Sequence, residues 1–473
     1  PEPTPEPAPE PEPEPEPVPL PTALEASRFL SQASFGPNAS AIDEVTAVGL
    51  ESWFTTQLQL PPSLHLQGVL AQFPDDGQFL DEQGNPLPEV VFTASNSFWQ
   101  TAIEGQDQLR QRMAFALSQI LVVSSQSDLG RLPQTMAAYM DVLTEGALGN
   151  YRDLLEEVTY SPAMAIYLTY LRNEKADPDT GRVPDENYAR ELLQLFSLGL
   201  IALNPDGTEA SDAQGEPQEL FNNADITGLA KVFTGLSFAG AAFETPLRFV
   251  PLTAYYQRLE MFDSYHSAEP KGFLGTTIPA GTDGSNTLQM ALDTIFNHPN
   301  VGPFLGRQLI QRFVTSHPPV DYVARVASAF DSGSYDLPSG EVVGSGERGD
   351  LSATLAAVLF DPIARNPESL EDPQHGKLRE PVIRFTHWAR AFNINSADAS
   401  NERILRDTSD SALLGQHPYR SPSVFNFYRP GYIAPGTQTG AADLNAPELQ
   451  ISNATTIVGY PNFLTLFALG LTP

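Results

Sequence analysis

From Leu24 onward, apolar residues recur every third or fourth position along most of the chain, the spacing that lays them on one face of an α-helix. The runs fall at 22–34, 39–60, 95–125, 134–146, 150–172, 185–200, 222–235, 286–297, 301–315, 319–330, 350–360, 378–393 and 447–470. Gly199 and the triplet Asn297-His298-Pro299 supply clear stops. Between the runs lie stretches rich in Gly, Pro, Asp and Ser, around 61–92, 173–184, 203–220, 237–284, 331–349 and 396–446. Connections of that length carry function or pack on the body they join. There is no short repeat and no alternation of strand with helix. The pattern predicts a mainly α fold: one large irregular multi-helical domain over 22–473, with long Gly/Pro-rich loops and a few short strands in the 240–280 region.

Residues 1–21, PEPTPEPAPEPEPEPEPVPLP, break the pattern. Alternate prolines forbid helix and central strand, and the glutamates repel one another, which predicts an extended polyproline II arm. Such an arm serves as a spacer from a membrane or wall, or is held by a neighbouring subunit. The chain starts at Pro1 without a methionine; an upstream secretory signal or lipid-anchor cysteine is the corresponding expectation.

Composition narrows the class. The 473 residues are 41% hydrophobic and only 18% charged, and 58 acids against 26 bases leave a net charge of −32. That field repels polyanions and anionic membranes, so no nucleic-acid partner is expected. There is no cysteine, which removes disulfides, thiolate metal sites and cysteine nucleophiles. No run of about 18 apolar residues exists, so no transmembrane segment is expected.

The stretch PDENYARELLQLFSLGL (184–200) carries the first candidate chemistry. Wound as a helix, it places Glu186, Asn187, Arg190, Glu191, Gln194 and Ser197 on one narrow arc. The apolar remainder spans roughly 200°, wider than the approximately 100° stripe of a surface helix, so the arc is expected to face protein and meet arginines of neighbouring helices. Arg112 and Gln119 share a face of LRQRMAFALSQILVV (109–123). A buried guanidinium needs a partner, and Glu186 or Glu191 is the expected one. In REPVIRFTHWARAF (379–392), Glu380, Arg384 and His387 share a face, with Pro381 at the helix start. In VGPFLGRQLIQRFV (301–314), Arg307 stacks over Gln311 and Gln308 over Arg312. Two readings follow: a buried polar network of Arg112, Asn187, Arg307, Arg312, Glu380, Arg384 and His387 that fixes how helices dock, or a pocket in which Glu186, Arg190 and Glu191 do acid–base or anion-binding work.

The loop SYHSAEPKGFLGTTIPAG (264–281) adds His266 and Lys271; a histidine there could shuttle a proton. His298 and His317 adjoin prolines at helix ends and read as caps. The seven histidines show no metal-ligand spacing, and Asp177, Asp179 and Gly181 make only a faint, Pro-broken calcium-loop pattern, so no metal and no cofactor is expected. There is no GxSxG elbow, P-loop or GxGxxG. Asn38 and Asn453 fit the N-x-S/T pattern.

Six segments in this order, ASRFLSQASFGPNASAI (26–42), QRMAFALSQILVVS (111–124), ENYARELLQLFSLGL (186–200), NHPNVGPFLGRQLIQRFV (297–314), KLREPVIRFTHWARAF (377–392) and SPSVFNFYRPGY (421–432), resemble the bacterial domain of unknown function 1800 family from about Leu24 to the end. The resemblance implies an exported protein, extracytoplasmic in location, whose relatives tend to be encoded beside a second exported family with a sulfatase-like fold, hence an exported partner. It implies no reaction. The segment from Asn445 resembles the family's last helical stretch, beyond which relatives commonly continue. The functional expectation is an exported binding or assembly protein, self-associating through the arm as a homo-oligomer or acting with an envelope partner. The alternative is an extracytoplasmic hydrolase or transferase acting on a polymer, using Glu186, Arg190, Glu191, His266 and Lys271.

Overall fold

A computed structural model describes residues 19–73, 91–394, 405 and 407–469; the proline–glutamate repeat before Pro19 lies outside them. The described residues fold as helices with three two-stranded sheets of two or three residues per strand, the mainly α architecture expected. The first helices are α1 (Ala23–Ala33), α2 (Ala39–Val48), α3 (Leu50–Gln59), α4 (Leu66–Leu70), α5 (Thr93–Glu104), α6 (Gln108–Ser118), α7 (Pro133–Gly146), α8 (Tyr151–Thr159) and α9 (Pro162–Tyr167). Then come α10 (Asn187–Glu191), α11 (Asn223–Ala230), α12 (Gly284–Phe296), α13 (Val301–Phe313), α14 (Val320–Ser332), α15 (Leu351–Phe360), α16 (Pro362–Arg365), α17 (Pro381–Ala391), α18 (Gln438–Ala441) and α19 (Ala454–Ala468).

Local chemistry sets these limits. Thr22 and Glu25 close a reciprocal capping box on α1, and Asn222 and Asn453 do the same for α11 and α19. Pro133, Pro162 and Pro381 occupy first-turn positions where a missing N–H costs nothing. Several long periodic runs are broken by one to three residues. The run 39–60 divides at Gly49, 95–125 between Glu104 and Gln108, and 150–172 ahead of Pro162. Periodicity survives such breaks because the apolar face continues on both sides.

At the centre is α15, LSATLAAVLF, in which every residue but Ser352 is buried. A helix apolar all round has no wet face, so it must be enclosed, and α1, α13, α14 and α16 pack on it. Aromatic contacts extend one continuous core from Phe29 on α1 to Phe463 on α19, through Phe29–Trp53, Phe35–Phe98 and Phe385–Phe463 pairs.

The sheets are small. β1 (Leu236–Ser237) pairs with β2 (Glu260–Met261), β3 (Lys271–Phe273) with β4 (Thr276–Ile278), and β5 (Tyr335–Asp336) with β6 (Val342–Val343), all antiparallel. The β3–β4 sheet and strand β2 lie in the expected 240–280 region, β1 falls just before it, and the β5–β6 sheet is in the loop after α14. The β3–β4 turn has positive φ at both Leu274 and Gly275, the geometry of a tight hairpin. Gly228 of α11 lies directly on this hairpin: a Cβ there would stand 1.8 Å from the Gly272 carbonyl oxygen, so only glycine permits the contact. That approach fixes α11, which in turn positions α10. Among the described residues no helix is long and apolar enough to cross a membrane.

Candidate functional site

The 184–200 segment does not form one regular helix. After α10 the turns widen into a π-helix over Leu192–Ser197, and the Leu198 and Gly199 amides both donate to the Leu193 carbonyl at 3.0 Å. Gly199, at φ +82°, ends the segment. Such π-turns are rare and concentrate at functional sites.

The polar arc divides. Glu186 accepts from Thr227 Oγ1 at 2.7 Å, and Arg190 Nη2 lies 3.5 Å from both Glu186 Oε2 and Asn223 Oδ1. These side chains are 34% and 40% exposed, so the pair is worth at most about 1 kcal/mol. Asn187 is half-buried and reaches Thr169 Oγ1 at 3.4 Å. Glu191 and Ser197 are deeply placed; Glu191 is 7% exposed and its Oε2 meets no protein donor. Burial raises its pKa, opposed by Arg190. Tyr167 stands beside it, its phenol pushed up to about 12 by burial and by the Glu191 charge. The arc therefore meets α11 and its own arginine, and the pairing of Arg112 with Glu186 or Glu191 does not form.

Tyr167 ends α9, and the next residues wall an open cleft of about 530 Å³. Ile166, Leu171, Phe238, Leu247 and Tyr255 give it an apolar lining, with Asp128, Arg131 and Thr169 as polar groups. Thr169 and Arg172 adopt φ +62° and +60°. For a β-branched residue such as Thr169 this is a true outlier costing about 1–2 kcal/mol. Both strained residues are tied in place. Thr169 Oγ1 donates to Asp185 Oδ2 at 3.0 Å, and Arg172 donates to Thr245 O at 2.6 Å and lies over the Phe238 ring. The cleft and the 184–200 segment thus share the wall 165–172. Concave, mostly apolar and of ordinary ligand-pocket size, it has the make-up of a binding site.

His266 and Lys271 belong to a different neighbourhood. The histidine is 4% exposed, its Nδ1 bonded to Thr234 O at 2.9 Å. Burial lowers its pKa and the Lys271 charge adds to that. Lys271 is not in a loop: it opens β3, fully buried, donating to Ser267 O at 2.7 Å. Among the described residues no hydrogen bond or ion pair joins either side chain to Glu186, Arg190 or Glu191, and α11 stands between the two groups. Asp177 accepts from the Asp179 amide and Thr180 Oγ1 in a tight turn, with Arg182 bonding Lys175 O. His298 and His317 accept from the amides of Asn300 and Asn445.

A second polar assembly lies deep between α6, α13, α17 and the 416–448 segment. Glu380 is 1% exposed, and its Oε2 accepts from Gln119 and Gln416 at 2.5 Å and from Tyr428 at 2.9 Å. Arg112 donates to the Arg312 carbonyl at 2.5 Å, and Arg312 to the carbonyls of Gln119 and Gln308. Lys377 pairs with Glu448, which also accepts from Ser316. Burial pulls the Arg112 pKa down to about 10, with Glu380 opposing. Its guanidinium also lies 4.6 Å from the Phe313 ring centre, a cation–π contact. The remaining network candidates sit elsewhere. Arg384 stacks over Tyr460 at 4.3 Å, His387 packs against Gly36, and Arg307 is half-buried facing Glu209. Asn187 is at the arc. This assembly ties α6, α13 and α17 together, although Glu380 Oε1, Arg112 Nε and Nη1 and Arg312 Nε are buried without a hydrogen-bond partner.

Sequence patterns do not reveal the cleft residues. Thr169 and Arg172 carry no mark of their left-handed backbone, and Phe238, Leu247 and Tyr255 sit in the 237–284 stretch, noticeable only for its length.

The fold and site describe a large α-helical protein with an apolar cleft beside a π-turn. The family described as "Protein of unknown function (DUF1800)" matches residues 28–467, and the chain belongs to it. No curated protein and no solved structure matches the chain.

Proposed function

We propose that the chain is an extracytoplasmic binding protein whose cleft captures an apolar segment of a partner, either a second exported protein or another copy of itself. The observation that carries this reading is the strained wall: Thr169 and Arg172 hold left-handed backbone beside an open apolar cleft, and strain of this kind persists where function uses it. Leu247 at the cleft and Phe249 beside it are 54% and 65% exposed, and Asp128 and Arg131 supply polar groups for the backbone of an extended ligand. The resemblance to an exported family supports the location. The alternative enzyme reading draws on Glu191, whose raised pKa suits a general acid, but its five side chains divide into two separate neighbourhoods.

A photo-crosslinking residue placed at Ile166 or Leu247 of the full chain, in producing cells, tests the proposal. Both positions should yield the same adduct, and Val342, 61% exposed and remote on β6, should not. Adduct mass separates a second copy from a different protein. No adduct at either cleft position, or the same adducts at Val342, overturns the reading.

A further inference from the structure

A chain of four side chains remote from the cleft carries chemistry of its own. His65 precedes α4 and is 1% exposed. Its Nδ1 lies 2.8 Å from Ser97 Oγ on α5, and the Gln111 side chain interacts with the ring. Gln111 fixes the direction of the whole chain. Its Nε2 donates to Ser63 O at 2.9 Å and to Asp107 Oδ2 at 3.0 Å. Both of its N–H bonds are then used, and only its oxygen remains for the imidazole. The tautomer with its proton on Nε2 suits that oxygen and leaves a lone pair on Nδ1, to which Ser97 Oγ–H can donate. Asp107 is itself held, accepting from the Ser63 amide and hydroxyl at 2.9 and 2.6 Å. The order is hydroxyl, neutral imidazole, amide, carboxylate: a nucleophile bonded to a base whose ring is oriented by a third group.

We propose that Ser97 is an activated nucleophile that takes acyl groups from ester substrates, with His65 as its base. In the first half-reaction, Ser97 Oγ forms a bond to the ester carbonyl carbon while Nδ1 takes the hydroxyl proton. The ester C–O bond then breaks, and Nδ1 returns that proton to the departing alkoxide. In the second, water attacks the acyl-serine, Nδ1 takes its proton and passes it to Ser97 Oγ as the carboxylic acid leaves. No other reactant is needed. Ser97 is half-buried rather than sealed. Burial lowers the His65 pKa to about 4 against the opposing Asp107 charge, so the imidazole is neutral at neutral pH, though a weaker base than an ordinary histidine.

The test uses the full chain with a fluorophosphonate probe, in which Ser97 Oγ would displace fluoride, and maps the adduct by mass spectrometry. The expected result is one adduct, on Ser97, absent in Ser97→Ala and formed about 100-fold more slowly in His65→Gln. A p-nitrophenyl acetate burst lost in Ser97→Ala gives the second readout on the native sequence. Absence of both adduct and burst from the folded wild-type chain overturns the proposal whatever the variants do. An adduct forming equally fast in a folded His65→Gln protein also overturns it, because the serine would then be merely exposed.

Discussion

Glu380 holds the deepest charged assembly together, and removing it is the sharpest test of how this body tolerates charge. One carboxylate oxygen accepts three hydrogen bonds, from Gln119, Gln416 and Tyr428, and faces Arg112 and Arg312. In Glu380→Ala, three buried donors lose their acceptor, each at about 1–3 kcal/mol taken singly, and two buried guanidiniums lose their counter-charge. These losses overlap, so the expected total is the cost of breaking a buried pair, about 3–5 kcal/mol. Glu380→Gln can set its amide oxygen where Oε2 accepts all three hydrogen bonds and its N–H₂ at the unpartnered Oε1 position, so the loss is mainly the missing counter-charge, about 2 kcal/mol. In a cycle with Arg112→Met, the Arg112–Glu380 coupling should be about 1–3 kcal/mol. The assay is urea unfolding followed by circular dichroism and by tryptophan fluorescence, to which Trp388 on α17 contributes from the same helix as Glu380's cap position. A loss below about 1 kcal/mol in Glu380→Ala, the scale of a surface pair, would refute the claim that this carboxylate braces the fold.

Acid should destabilise the protein through its buried histidines. His65 has a folded pKa of about 4 against 6.5, so on falling from pH 6.5 to 4 the unfolded chain takes up a proton the folded one refuses, costing about 3 kcal/mol. Urea midpoints at pH 7 and 4.5 should therefore differ less in His65→Gln than in wild type, and equal differences would contradict the assignment. His417, also lowered to about 4 by burial, should act in the same direction. Thr169→Asn, which tolerates φ +62° and keeps a polar side chain, should stabilise by about 1 kcal/mol; destabilisation would mean that the Thr169–Asp185 bond outweighs the backbone strain.

The helical body was legible because its signal is repetitive. Leu351–Phe360 and Val301–Phe313 announce themselves by their apolar runs, and Pro381 marks the start of α17. Partnership was less legible. The sequence singled out Arg112, Arg312 and Glu380 as charges on apolar helices, and they do meet, but pairing Arg112 with the 186–191 carboxylates required knowing which helices are neighbours. Periodicity says which face is buried and nothing about what faces it. The cleft was illegible for a different reason. Its defining features are φ angles at Thr169 and Arg172 and the meeting of 165–172 with 238–255, and no residue type there demands either.

Two stretches therefore carry their costs in different ways. Around Glu380, each buried charge meets at least one partner, a carbonyl or a ring, while Glu380 Oε1, Arg112 Nε and Nη1 and Arg312 Nε are left without one, so the desolvation penalty is only partly offset. Between Ile166 and Ser197 the costs lie in the backbone: two left-handed non-glycine residues and a π-turn. Each disagrees with what its local sequence would choose, and such disagreements collect where function overrides stability. On that reasoning the buried network and the cleft are not rival sites. The network supplies the rigid body against which the strained wall can be held, which is why perturbing Glu380 should lower stability while perturbing Thr169 should raise it and weaken binding.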